Sequence, residues 1–363
     1  MRPGILFRYI TWRTMTAAGA LFAILASLIF LIDLIESLRF AGKVEAGFAF
    51  ALRLTLMRTP GLAQALAPFI FLFGAIWMFT QLNRRSEISV MRSAGLSVWR
   101  LIGPAALVAG VAGVLIVAVV DPLSARMMAF GEQMKNDIRG KRSNVVRLFE
   151  DGLWLRQRAP NSILILNAKS FDEANDQLSG VTVWRLDERA SLLERVDAPQ
   201  ASLSEQQLSL RDAQVTATGE RLNHRAPIYK IETNLSSADL RERVTPPESI
   251  SLWDLPRFIE LAEAAGLPTV RYHIRFHDLC SMPLKLVAMV LIAGLFSLKP
   301  MRTGGTFRLL LSSIVAGFLL YMISEISTAL GEAGSAPVAL AAWTPALVAT
   351  MIAIAGLLQF EDG

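Results

Sequence analysis

The sequence predicts an α-helical membrane protein with six transmembrane helices and a separate all-β domain outside the membrane. Three observations lead to this fold class. Of the 363 residues 53% are hydrophobic and 18% are charged, whereas soluble domains are about 45–50% apolar with glycine included. Six apolar segments approach or exceed the roughly 20 residues that a helix needs to cross a bilayer. Between the third and fourth segments, the hydrophobic period changes from helical to the alternation typical of strands.

The predicted spans are residues 11–35, 63–82, 101–120, 279–298, 309–327 and 338–358. The first span is longer than the apolar core of a signal peptide, and no small-x-small cleavage site follows it, so we expect a retained anchor. Pro60 lies near the start of the second span and Pro68 lies inside it. An even number of crossings places both termini on one side of the membrane.

Basic residues in the short loops predict the orientation, because cytoplasmic loops carry an excess of lysine and arginine. The loop between the fifth and sixth spans contains Glu332 and no basic residue. The opposite side receives Arg2, Arg8, Arg13, Arg84, Arg85, Arg92, Arg100, Lys299, Arg302 and Arg308. Both termini and the 83–100 loop are therefore predicted to be cytoplasmic, and the insertion after the third span is predicted to lie on the other side.

The predicted domains are residues 1–120 with spans one to three, 121–247 with a helical extension and the β-domain, and 248–363 with an amphipathic helix at 252–265 and spans four to six. Short strands are expected at 145–148, 152–156, 162–166, 180–186, 190–196, 207–217 and 228–233. Their number and spacing fit a sandwich, a jelly roll or a curved open sheet. The only cysteine, Cys280, excludes an intramolecular disulfide.

The charge pattern and the motifs exclude several function classes. Residues 144–244 carry 13 Lys/Arg and 15 Asp/Glu, so the overall charge of +5 reflects the membrane flanks and does not indicate nucleic acid. The chain lacks a P-loop and a Gly-x-Ser-x-Gly elbow, so we predict no enzyme and no bound cofactor. His273 and His277 have helical metal-ligand spacing but no evident third ligand, and no metal is predicted.

A short polar segment between the second and third spans is the first candidate site. As a helix over 84–97, it places Ile88 and Met91 on one face, and Gly95 ends it. Charged residues are distributed around this helix: Arg84, Arg85, Glu87 and Arg92. Such a helix either docks onto a protein at the membrane face or is a solvated connector, and the spacing alone leaves both readings open.

A basic stripe at the outer end of the fourth span is the second candidate. Arg271, Arg275, Asp278, Met282 and Lys285 step by four, three, four and three residues, which is one helix face. With further basic residues near spans one and three, it would form a cationic ring for an anionic headgroup: Arg39, Arg126, Lys135, Arg139, Arg271, Arg275 and Lys285. The alternative is local pairing, Arg275 with Asp278 and Glu36 with Arg39, together with anchoring at the interface. Glu325 is interpreted as exposed at the interface.

Several of these features together resemble one known family. The order of six spans with a β-rich insertion after the third, and the segment Arg85-Ser86-Glu87-Ile88-x-Val90-Met91-x-x-x-Gly95, resemble the lipopolysaccharide export permeases, the LptF/LptG family, with details nearer its LptG branch. Further matching points across the whole chain are Pro60, Pro68, Pro122, Pro283-Leu284 with Met289, and Gly317-Phe318-x-x-Tyr321.

The resemblance implies the half-transporter of a type VI ABC exporter in the inner membrane of a Gram-negative bacterium, with a periplasmic β-jellyroll. Helix 84–97 would dock onto an LptB-type ATPase dimer, which binds the ATP and Mg²⁺. Glu87 would be its charged contact and Ile88 and Met91 its apolar contacts. Together with an LptF-type permease, the chain would enclose a cavity for lipopolysaccharide, with spans one and five as lateral gates.

The resemblance also implies that the β-domain passes the lipid to LptC and to an LptA bridge. Some relatives carry several lysines at the outer end of span one, where this chain has Asp33, Glu36 and Arg39. A different class of function stays open beside it, namely a membrane scaffold or signalling protein that binds a periplasmic partner through its β-domain.

Overall fold

The computed structural model of the chain describes residues 3–139, 145–149, 152–159, 162–172, 177–187, 191–204, 207–217, 224–233, 246–298 and 306–362. The contacts divide the chain into two compact units. One comprises residues 1–128 and 273–363, and the other comprises residues 129–272.

Ten α-helices occur in the described residues. In chain order they are α1 Pro3–Lys43, α2 Phe48–Ala65, α3 Ala67–Arg84, α4 Glu87–Ser93, α5 Val98–Leu115, α6 Asp121–Arg139, α7 Leu255–Ala264, α8 Val270–Ser297, α9 Thr306–Glu332 and α10 Val338–Asp362. A π-helical turn, Ile116–Val120, joins α5 to α6. The helical extension predicted beyond the third span is thus observed as far as Arg139.

Five helical segments are long and apolar enough to cross a membrane: Gly4–Lys43, Val98–Lys135, Val270–Ser297, Leu311–Glu332 and Val338–Gln359. They confirm the predicted first, third, fourth, fifth and sixth spans. The predicted second span, residues 63–82, corresponds to the end of α2 and most of α3, which meet at Leu66 with a bend of 60°. Pro68 explains the break, since it has no N–H to donate to the preceding turn and its ring clashes with that turn's carbonyl.

Small residues allow the helices of the first unit to approach closely. α1 packs against α2, α3 and α5, and α9 packs against α10 and α3. A Cβ atom on Gly74 of α3 would lie 3.2 Å from the backbone of Ala18 in α1. A Cβ atom on Gly113 of α5 would lie 2.5 Å from the Cα atom of Pro283 in α8. Close contact at glycine is the usual way in which membrane helices pack, because lipid supplies no hydrophobic drive between them.

The outward faces of this unit are apolar, as expected of surfaces that contact lipid or another membrane helix. Large hydrophobic side chains are exposed along α1, α5, α9 and α10, among them Ile24, Leu28, Leu31, Leu107, Val111, Val114, Phe318, Leu319, Ile323, Leu347, Met351 and Ile352. A soluble protein rarely exposes apolar surface on this scale. These faces therefore support the membrane assignment independently of segment length.

The second unit contains a seven-stranded antiparallel sheet. Its strands are β1 Val145–Phe149, β2 Gly152–Ala159, β3 Ser162–Asp172, β4 Gln177–Leu186, β5 Leu192–Ser204, β6 Gln207–Ala217 and β7 His224–Glu232. The all-β domain is confirmed, and each of the seven predicted strands overlaps an observed one. Each described strand pairs with the next along the chain, so the sheet is a meander. Among the sandwich, jelly roll and open sheet considered from the sequence, this strand order corresponds to the open sheet.

One face of the sheet forms the core of the second unit, and α7 covers it. The alternation of strand residues buries Leu153, Leu166 and Val183, while Trp154 and Trp184 stack on the opposite face with ring centroids 5.4 Å apart. The segment from Ala262 to Leu267 belongs to the same core. The contacts therefore divide the chain near residues 128 and 272 rather than at the predicted boundaries of 120 and 247.

The predicted end of α7 at Gly266 is confirmed. Gly266 has a φ of +70°, and the backbone N–H of Leu267 donates to the carbonyl oxygen of Ala262 over 2.9 Å. This is the hydrogen bond of a Schellman cap, which needs a left-handed residue after the helix. The N–H of Phe171 in β3 donates to the carbonyl of Ala265 over 2.8 Å and so holds this helix end against the sheet.

Candidate functional site

The short helix α4 lies between two sharp changes of chain direction. Ser86 precedes it with a φ of 58°, and Gly95 follows it with a φ of +79°. The N–H of Leu96 donates to the carbonyl of Met91 over 3.2 Å, and the N–H of Gly95 donates to that of Arg92 over 2.9 Å. These two bonds form a Schellman motif. The predicted stop at Gly95 is confirmed, although the helix itself is shorter than the predicted 84–97.

Glu87, the first residue of α4, is held by α1. The hydroxyl of Tyr9 donates to the Glu87 carboxylate over 2.8 Å. The Nε atom of Arg13 donates to the same hydroxyl over 3.2 Å, and its guanidinium lies 5.3 Å from the centre of the Tyr9 ring. Sequence reasoning missed Tyr9, because nothing in a linear pattern connects two residues 78 positions apart. The only local signal was the helical spacing of Tyr9 and Arg13.

The apolar face of α4 is turned toward its own chain. Ile88 is 3% exposed and Met91 is 9% exposed, and α4 packs against α3. Val90 is instead 66% exposed. The two residues do share one helix face, as predicted, but burial leaves them little surface for another protein. Their role as apolar partner contacts stays a prediction, and Val90 is the more exposed apolar side chain of α4.

The surface around α4 is basic. Arg84 and Arg85 are exposed, and Arg92 is partly exposed. The end of α3 is tied to the end of α8, because the Asn83 amide donates to the carbonyl of Ser297 over 3.0 Å. α4 therefore projects from an anchored helix end, with a carboxylate held by Tyr9 and several arginines around it.

A buried polar network occupies the junction of α2, α6 and α8. Asp121 is 0% exposed, and its carboxylate accepts a hydrogen bond from Arg275 over 2.9 Å and one from the Gln64 amide over 3.1 Å. The hydroxyl of Ser124 donates to the Gln64 side-chain oxygen over 3.0 Å. A carboxylate buried this deeply needs such partners, since an unpaired charge would be strongly destabilising.

Other members of the predicted cationic ring also have acidic partners within the chain. Lys285 pairs with Asp278 on α8. Lys135 pairs with Glu132 over 2.8 Å. The sequence analysis offered a pair of Arg275 with Asp278 as an alternative. In the structure, Arg275 pairs instead with Asp121, which lies on another helix.

The acidic residues of α1 are paired in a similar way. Arg58 of α2 lies 2.8 Å from Asp33 and 3.9 Å from Glu36, so the supposed pair of Glu36 with Arg39 is not observed. Arg39, Arg126 and Arg271 are exposed. Arg139 lies in α6, and its side chain is outside the described residues. The ring thus separates into paired basic residues and exposed ones.

A cavity of about 210 Å³ lies between α3, α8, α9 and α10. Its charged lining residues are Asp278, Lys285 and Glu325, with Tyr321 beside them and Met282 and Leu320 on its apolar wall. Glu325 is exposed, as predicted, but it lines this cavity as well. Within the described residues, no group of three or more His, Cys, Asp or Glu side chains could hold a metal ion.

Comparison with known proteins agrees with this architecture. The chain matches the family model described as lipopolysaccharide export system permease LptF/LptG over residues 8–359. It is 24% identical over 326 residues to the lipopolysaccharide export system permease protein LptG of Haemophilus influenzae, covering 85% of this chain and 86% of that protein. It is 24% identical over 334 residues to LptG of Escherichia coli K12, covering 90% of each. The family match spans nearly the whole chain, so the protein belongs to the LptF/LptG family of lipopolysaccharide export permeases.

Proposed function

We propose that this chain is the LptG-like half of an ABC transporter that extracts lipopolysaccharide from the outer leaflet of the inner membrane. It carries no P-loop, so ATP and Mg²⁺ bind to a separate LptB-type ATPase dimer. An LptF-type permease forms the other half, and the arrangement is that of a type VI exporter. The exposed apolar faces of α1 and α9 support a second membrane-embedded partner, because such faces are stable only against lipid or protein.

The observation that carries this proposal is the attachment of α4. Docking of an ATPase at α4 moves Glu87, and the hydrogen bond from Tyr9 transmits that movement to α1. α1 is one of the two helices that act as lateral gates in this proposal. The docking surface consists of Glu87, Val90 and the exposed arginines around them: Arg84, Arg85 and Arg92.

The orientation follows from the basic flanks. Arg8, Arg13, Arg84, Arg85 and Arg100 border the ends of α1, α3 and α5 that lie near α4, and basic residues favour the cytoplasmic side. Both termini are then cytoplasmic and the β-domain is periplasmic. From there, the β-domain passes the lipid to LptC and LptA-type bridge proteins.

Phosphate groups of the lipid are held by arginines that have no acidic partner in the described part of the chain. Arg39 and Arg126 are exposed and have no ion pair among the described residues, so they are better candidates than Arg275 or Lys285. A guanidinium forms charge-assisted hydrogen bonds with phosphate, and these are stronger than neutral ones. Arg271 is a further candidate on the same grounds of exposure.

The test is reconstitution with the partner ATPase. The full-length chain, expressed with its permease partner, is expected to co-purify a P-loop ATPase whose hydrolysis rate rises when lipopolysaccharide is supplied. Val90→Asp places a charge on the exposed face of α4 and is expected to weaken ATPase co-purification at least tenfold. Glu332→Ala, at the opposite end of the helix bundle, is the matched surface control. Normal ATPase docking in Val90→Asp, or absence of any lipid-stimulated hydrolysis, contradicts the proposal.

A further inference from the structure

A groove of about 140 Å³ lies between α1 and α3 at the end of the bundle that carries α4. Both helices contribute apolar and polar residues to its lining. Its apolar lining comes from Ala17, Ala20, Trp77, Met78 and Leu82, and its polar lining comes from Arg13, Thr16, Gln81 and Arg85. The groove is therefore amphipathic, which is the form that suits an amphiphile rather than a soluble anion.

The charge of this groove is positive and is not neutralised within the described part of the chain. Arg13 and Arg85 line it and no carboxylate does. Neither arginine belongs to any ion pair between described residues. Arg13 uses its Nε atom to donate to Tyr9, so its two terminal nitrogens remain as donors. The occupant that complements two guanidinium groups lining one groove is an anion with several acceptor oxygens.

We propose that this groove binds the headgroup of an anionic glycerophospholipid of the phosphatidylglycerol class, in the leaflet on the α4 side. Guanidinium groups match phosphate oxygens in a fork geometry. Trp77 is exposed, and tryptophan favours the depth at which headgroups meet acyl chains. The apolar wall then covers the first methylene groups. Basic pockets between membrane helices on the cytoplasmic side recognise anionic lipids by this chemistry. The identification of this leaflet as the cytoplasmic one rests on the proposed function, and the lipid site itself does not.

The site is connected to α4 by hydrogen bonds. Arg13 donates to Tyr9, and Tyr9 donates to Glu87. The arginine that holds the phosphate is therefore the one that orients the Tyr9 hydroxyl toward the α4 carboxylate. A bound anionic lipid stabilises this arrangement, so lipid composition in that leaflet is coupled to the position of α4.

The test measures lipid retention by native mass spectrometry on the full-length chain, purified with its partner chains and supplied with equal phosphatidylglycerol and phosphatidylcholine. Wild type is expected to retain phosphatidylglycerol preferentially. Arg13→Gln and Arg85→Gln are each expected to lower that retention about fivefold, the effect of one basic residue near an anionic lipid. Ala20→Leu keeps both charges and fills the groove, and it is expected to lower retention as well. Arg8→Gln removes an equal charge from α1 outside the groove and is the matched control.

Three outcomes would overturn the proposed lipid site. Equal losses in Arg8→Gln and Arg13→Gln indicate general surface attraction and overturn the proposal, as does unchanged retention in Arg13→Gln, Arg85→Gln and Ala20→Leu. If a partner helix fills the groove, Ala20→Leu weakens assembly while phosphatidylglycerol retention stays constant, and the proposal fails. Retention is measured without nucleotide or lipopolysaccharide. A complex that retains phosphatidylglycerol at this groove but has no lipid-stimulated ATPase overturns the proposed function and leaves the lipid site standing.

Discussion

Removal of Arg275 is expected to destabilise the membrane unit strongly. The Arg275→Ala variant leaves the carboxylate of Asp121, which is 0% exposed, with the Gln64 amide as its remaining side-chain donor among the contacts described above. Breaking a buried ion pair by deleting one partner costs about 3–5 kcal/mol. The side chain of Arg275 is itself 20% exposed, so water reaches part of the site and the lower end, about 3 kcal/mol, is expected.

Thermal unfolding of the purified full-length chain measures this effect. For a unit of this size, about 3 kcal/mol corresponds to a decrease in Tm of roughly 6–12 °C. The control is Arg126→Ala, an exposed arginine on the same helix as Asp121, for which about 0.5 kcal/mol or less is expected. The double variant Asp121→Leu/Arg275→Met removes both charges, and it should be more stable than Arg275→Ala because no buried carboxylate has lost its arginine partner.

Two results would refute the reasoning. If Arg275→Ala unfolds at the same temperature as Arg126→Ala, the ion pair is not needed to neutralise Asp121. The double variant must also recover part of the loss in Tm. If the double variant is as unstable as Arg275→Ala, the side-chain shapes at this junction, rather than the buried charge, determine stability.

Three further predictions concern packing, coupling and pH. Gly113→Ala should lower Tm because its Cβ would lie 2.5 Å from the Cα of Pro283. The control is Gly19→Ala in α1, whose added Cβ would have no atom of another residue outside its own turn within 4 Å, and it should raise stability by up to about 1 kcal/mol. Tyr9→Phe should preserve ATPase docking but reduce lipid-stimulated hydrolysis several-fold, and unchanged stimulation counts against coupling through Tyr9. Burial, with the neighbouring carboxylate of Glu194, raises the pKa of Tyr229. Folding thus favours the neutral phenol of Tyr229. Its contribution to the free energy of unfolding is full below about pH 10 and is lost as pH rises through the raised pKa. Tyr229→Phe should make the free energy of unfolding, measured by denaturant titration, fall less steeply over that pH range.

Much of the fold follows from local sequence. Five of the six spans and all seven strands were predicted because apolar length and alternation act over neighbouring residues, which is how a helix or strand meets lipid or a core. Gly95 and Gly266 were predicted as helix ends for the same reason, since a left-handed cap depends on one residue. The position and charge of the α4 segment could also be predicted from neighbouring residues. The packing of its Ile88 and Met91 face against its own chain could not.

Other features depended on residues far apart in the chain. The partner of Arg275 is Asp121, the partner of Asp33 is Arg58, and Glu87 is held by Tyr9. Sequence spacing favours partners one helical turn away, so it pointed to the pairs Arg275 with Asp278 and Glu36 with Arg39 instead. The sheet order was also undetermined, because short strands fit several topologies with the same alternation.

Taken alone, the amino-acid sequence determined the membrane class, the β-rich insertion, the family and the location of the candidate docking segment. Only the tertiary structure decided which face of α4 is exposed, which arginines have acidic partners and where the second span bends. The physical reason is that hydrophobic length and backbone conformation are properties of consecutive residues. Burial and charge pairing are instead decided by which helices meet, and nothing in the linear order specifies those meetings.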